Sequence, residues 1–148
     1  MSYNLEQAYG SYKSYGAAGL ATGTNTGTFK TTATLSYTNN GAFKSKSATD
    51  NLAFSSGHKA VPAGSACAFS VWIDAAGAVT TTQGNIVGSG ETCSIAPAAG
   101  TNVTFVGYIK VTTNASTTFT PGTTGLGAAG ITAAYQDCAV MQIGRAHV

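Results

Sequence analysis

The chain has 148 residues, of which 43% are hydrophobic and only 8% charged, and it carries a net charge of +2. That length suits one domain with a real core, while so little charge, against about a quarter in an average protein, argues against a helical cytosolic enzyme with Glu and Lys on its outer faces. A small net charge with no lysine run speaks against nucleic acid as a partner, and no apolar stretch reaches the ~20 residues of a membrane-spanning helix.

The N-terminus, MSYNLEQAYGSYKSYG, lacks a basic start followed by an apolar stretch, so it shows no signal peptide. Within it the spacing predicts a short helix over residues 2–16. Asn4 can cap it, and Leu5, Ala8, Tyr9 and Tyr12 fall at i, i+3, i+4 and i+7 on one face. Gly10 weakens the pattern by about 1 kcal/mol relative to Ala. Such a helix either folds back on the domain or meets its counterparts as an assembly helix. Residues 17–27, rich in Gly, Thr and Ala, read as a flexible linker to a β-domain over residues 28–142.

From there strands follow at short intervals. Phe29, Thr31, Ala33, Leu35 and Tyr37 alternate with polar residues on one face, and Asn39-Asn40-Gly41 is a strong two-residue hairpin signal leading into residues 42–47. Residues 52–54 and 58–61 are candidate short strands, the second stopped by Pro62. The centre is a hairpin over residues 67–83, CAFSVWIDAAGAVTTTQ. Cys67, Phe69, Val71 and Ile73 share one face, with Ala68, Ser70, Trp72 and Asp74 on the other. Asp74 and Gly77 supply the turn. Residues 86–100 form a loop rich in Gly, Ala and Ser, and the stretch 83–100 is either a binding loop or a long connection. In the strand at 103–113 the alternation sets Val103, Phe105, Gly107, Ile109 and Val111 against Thr104, Val106, Tyr108, Lys110 and Thr112. Short strands at 117–120, 131–135 and 139–141 complete the set. About eight short strands without long helices predict an all-β fold: an antiparallel sandwich, jelly-roll-like, or a barrel.

No residues combine into a catalytic, cofactor-binding or metal site. His58 with Asp50 or Asp74 and a serine would make a hydrolase triad, but no GxSxG elbow is present and a loop histidine is the simpler reading. Glu6, Asp50, Asp74, Glu91 and Asp137 are scattered, with no pair placed for glycoside cleavage. Cys67, Cys93 and Cys138 lack metal-ligand spacing. They read as free thiols, with Cys67–Cys93 as an alternative disulfide. Two glycosylation sequons, at Asn102 and Asn114, matter only in a eukaryotic secretory setting. Trp72 and Tyr108 lie opposite the apolar sides of their strands. If those strands are neighbours, the two rings form an aromatic surface for a sugar or a protein partner; the plainer reading buries both faces.

The last six residues, IGRAHV, resemble a translated sequencing adapter, and residues 143–148 are set apart from the fold on that ground. Without Arg145 six lysines face five acids, a net charge of +1. Three segments resemble structural proteins of tailed-bacteriophage virions. They are residues 29–51 (FKTTATLSYTNNGAFKSKSATDN), 71–84 (VWIDAAGAVTTTQG) and 107–137 (GYIKVTTNASTTFTPGTTGLGAAGITAAYQD). These are scaffold and turn residues, so no site residues carry over, and Cys93 departs from the small residues and prolines expected in its loop. The resemblance implies a head-decoration or head/tail-fibre protein located in the virion. It would be non-enzymatic, free of cofactors, and assembled as a trimer or other cyclic oligomer with a major capsid or tail protein. A cell-surface adhesin or carbohydrate-binding module that meets a host-surface glycan is the alternative.

Overall fold

The computed structural model describes residues 12–139, and among them the chain is all-β, with eleven strands in three antiparallel sheets and no helix. A five-stranded sheet runs in the order β11 (Ile131–Asp137), β10 (Val103–Thr113), β7 (Ser65–Asp74), β8 (Val79–Gln83), with β9 (Val87–Gly88) pairing the start of β7. Two three-stranded sheets complete the fold. One is β1 (Lys13–Ser14), β4 (Leu35–Asn39), β5 (Ala42–Lys46); the other is β2 (Leu20–Thr22), β3 (Thr28–Thr31), β6 (Leu52–Ala53).

The central hairpin forms as its pattern dictates. Cys67, Phe69, Val71 and Ile73 are fully buried on one face, and β7 pairs β8 from Ile73↔Val79 to Phe69↔Gln83. Asp74 closes the turn by accepting from the N–H groups of Ala76 (2.9 Å) and Ala78 (2.8 Å), the local side-chain bonding that makes Asp a turn residue. Asn40 (φ 51°) and Gly41 (φ 80°) take the left-handed conformations of a two-residue hairpin turn between β4 and β5.

One core cluster gathers side chains from all three sheets: Leu20 and Phe29, Leu35 and Tyr37, and the inner faces of β7 and β10. Its centre is aromatic, with Phe54 5.2 Å from Phe29 and 5.1 Å from Phe69, and Phe119 6.0 Å from Phe69 between ring centroids. Burying each such ring is worth about 1.5–3 kcal/mol. Polar ties join the sheets where the core ends: Tyr37 donates to the Asp74 carbonyl (2.8 Å), and Thr104 to the Thr38 carbonyl (2.7 Å).

Several expectations are corrected. Residues 12–16, the described end of the expected helix over residues 2–16, are not helical. Lys13–Ser14 is a strand pairing Thr38 and Tyr37, while Leu5, Ala8 and Tyr9 lie outside the described residues, as does the adapter-like tail. Residues 17–27 are no loose tether, since Ala18 and Leu20 are buried in the core and Leu20–Thr22 pairs with β3. The run from Phe29 to Tyr37 breaks at 32–34, where the Thr32 and Ala33 N–H groups bond the Ala18 carbonyl and the chain passes from one small sheet to the other. Residues 58–61 and 117–120 contribute only the bridge Val61↔Phe119, and the strand expected at 139–141 does not begin at Ala139.

The largest correction lies in β10. A bulge between Phe105 and Gly107 shifts the register, so Thr104 and Val106 join Ile109 and Val111 inside while Phe105 faces Trp72 outside. Gly107 is required there: a Cβ would overlap the Gln136 carbonyl oxygen and sit 2.9 Å from Leu20 Cδ1.

Candidate functional site

The main concavity is a cleft of about 910 Å³ beside β8. One wall is the loop 55–59, the floor is β8, and the other wall is formed by residues 84–86, Ala99, Gly100 and Val103. The wall at 55–59 is fastened to the free edge of β8 by reciprocal bonds. Ser55 N donates to Thr81 Oγ1 and Thr81 N donates to Ser55 Oγ, each at 2.9 Å. Four residues later, Lys59 N donates to Gln83 Oε1 (2.7 Å) and Gln83 Nε2 returns a bond to the Lys59 carbonyl (2.8 Å). Side chains here stand in for a missing strand and satisfy backbone groups an edge would leave bare.

His58 sits in this wall with Nε2 2.7 Å from Thr81 Oγ1 and its ring 5.4 Å from Phe69. Burial lowers its pKa below the ordinary histidine value, which favours the neutral imidazole. Neither carboxylate considered as its partner is available. Asp74 is held by its turn, and Asp50 accepts from the backbone and hydroxyl of Thr24, bonds that hold its carboxyl below the ordinary range. The triad geometry is therefore not assembled. Glu91 bonds the Gly88 N–H (2.7 Å) and Asp137 the Leu20 N–H (3.0 Å), so the acids serve separate local structures. Among the described residues no group of three or more His, Cys, Asp or Glu could hold a metal ion.

The three cysteines are free thiols. Cys67 points into the core, its S–H directed at the Gly84 carbonyl (3.3 Å), and burial pushes its pKa up to about 11. A thiol so far from ionisation is a packing group.

Trp72 and Tyr108 do lie on the same outer face of neighbouring strands: Trp72 is paired with Phe105, and Tyr108 with Ser70. They do not make one flat plate. Trp72 packs against Phe105 with centroids 5.0 Å apart and the rings tilted by 54°, and it donates its indole N–H to Thr82 Oγ1 (2.9 Å), which lines the cleft. Tyr108 lines a smaller hollow beneath residues 90–95, together with Ala68 and Lys110. The long loop lies over the sheet between them, and the Ser70 hydroxyl donates to the Ala96 carbonyl (3.3 Å). Tyr12, expected on the assembly helix, is exposed and donates to Asn102 Oδ1 (2.8 Å). The sequence reading missed Phe105 and Val103 as outer-face residues. Gly107 in mid-strand was the available signal, since a glycine there often marks a bulge. No protein-family model, curated protein or solved structure matches the chain.

Proposed function

We propose that the chain is a non-enzymatic structural component of a phage virion, a capsid-decoration or head/tail-fibre protein that acts by assembling with copies of itself and with a major capsid or tail protein. In this reading the three sheets stack as a jelly-roll-like sandwich around the one core cluster.

The observation that carries the assembly reading is β5. All of its residues but Lys46 are exposed, and among the described residues it is paired only on its β4 side. Asn39↔Ala42 closes the two-residue turn as a hydrogen-bonded pair, so the N–H group of Ser45 turns away from β4 toward an incoming strand. Lys44 and Lys46 bias the geometry. Pairing two β5 strands about a twofold in the registers centred on Lys44 or Ser45 sets like charges opposite each other. Head-to-tail pairing avoids that, and it is the arrangement that generates rings. The neutral remainder of the surface suits close packing of copies. The test is the solution mass of the full chain by light scattering: a trimer or larger ring is expected, and a monomer at high micromolar concentration contradicts the reading.

A further inference from the structure

We propose that the cleft beside β8 binds a neutral saccharide, with Thr80, Asn85 and Ser56 bonding its hydroxyls and Ile86 and Val103 covering a C–H face. The cleft volume of about 910 Å³ lies within the range of small-ligand sites, with room for two or three sugar rings. Its polar groups fall into two sets. Thr81, Thr82 and Gln83 are already committed, to Ser55 and His58, to Trp72, and to Lys59. They hold the walls still. Ser56, Thr80 and Asn85 are exposed, and their side chains have no hydrogen-bond partner among the described residues. Hydroxyls and an amide both donate and accept, which is what a polyol requires and what a phosphate or carboxylate does not.

Charge sharpens the ligand class. Among the described residues lining the cleft Lys59 is the one ionic side chain, and the imidazole of His58 is held by Thr81 rather than by an acid. Among the described lining residues no cluster of cations is present to bind a phosphate or an acidic sugar chain. A peptide strand is disfavoured for a different reason: the outer edge of β8, where it would add, is already occupied by Ser55 and Lys59. The apolar strip of Ile86, Ala99 and Val103 faces these neutral groups across the cleft and suits the C–H face of a pyranose. The site is separate from β5, so the proposal stands independently of the assembly reading.

The test is binding of the full chain to an array of immobilised neutral oligosaccharides (maltohexaose, N-acetylchitotetraose, lacto-N-neotetraose) beside sialylated and sulfated ones. The strongest neutral binder is then followed by saturation-transfer NMR against Thr80→Ala, Asn85→Ala and, as a control at the opposite, β11 edge of the sheet, Thr132→Ala. Thr80 and Asn85 are exposed, so both variants should melt as the wild type does. Expected is binding of at least one neutral oligosaccharide, weakened about tenfold by either cleft variant, the loss of one hydrogen bond, and unchanged by Thr132→Ala. The proposal is overturned if no neutral oligosaccharide binds, or if binding is the same in all variants. Binding confined to sialylated or sulfated sugars and abolished by Lys59→Gln would also overturn it, in favour of an anion site.

Discussion

The two sheet edges at β8 and β5 solve the same physical problem in opposite ways. A strand with one free side presents bare N–H and C=O groups that invite another chain. At β8 the Thr81 N–H is covered from within by the Ser55 hydroxyl, and the Gln83 side-chain amide ties the backbone of Lys59 alongside the strand. β11 has a milder version, with the Leu20 N–H bonded to Asp137 and Thr22 bonded to Tyr135 across to β2. At β5 the outward edge at Ser45 has no such cover among the described residues, and Lys44 and Lys46 stand as guards beside it. The fold closes the edge beside its cleft and leaves the β5 edge open at Ser45. Closing β8 is what shapes the cleft, because the clamp is also its wall.

Substitutions at the clamp should separate the two edges by size of effect. The largest belongs to Thr81→Val, which keeps the β-branched shape but strands the Ser55 N–H and His58 at a site only 3% exposed. A loss of roughly 2 kcal/mol is expected in urea denaturation, the cost of leaving a buried donor unpaired. Gln83→Ala removes both bonds to Lys59 at a more exposed position and should cost about 1 kcal/mol. The same melt should show the 55–59 wall loosened, with faster amide exchange at Lys59 and little change at β5.

Acidification probes the same wall. The folded-state pKa of His58 is lowered by burial, so the unfolded chain takes up the proton first. Stability from this group is therefore complete above the unfolded value of about 6.5 and is lost as pH falls from there through the lower folded value. A melting temperature that declines between neutral and mildly acidic pH, with His58→Gln flattening that part of the profile, is the expected result. Equal slopes in both proteins would assign the decline to other groups. The smallest effect on stability is at the open edge. Ser45→Pro removes an N–H that points away from β4, so the fold should keep its stability within about 0.5 kcal/mol.

What the sequence disclosed was local. The hairpin at 67–83 and the turn at Asn40-Gly41 were legible because alternation and turn chemistry act over a few neighbouring residues. The bulge in β10 was not, since Val103, Phe105 and Val106 are all apolar and the pattern looks unbroken across it. Nor was β2 legible. Leu20 stands alone among Gly, Ala and Thr, and its place in the core depends on the gap beside Gly107, far along the chain. The cleft was equally hidden, because Ser55–Thr81 and Lys59–Gln83 are bonds across more than twenty residues between a segment without regular structure and a strand. Trp72 and Tyr108 were legible as lying opposite the apolar sides of their strands, but that those strands are neighbours and that residues 84–100 pass between the two rings depends on long-range pairing.

The assembly reading rests on the open edge, and sedimentation velocity of Ser45→Pro beside the wild type tests it most directly. The account predicts a wild-type ring of three or more copies and a Ser45→Pro monomer with the same melting temperature. A variant that assembles as the wild type does, or a wild type that stays monomeric, would contradict it.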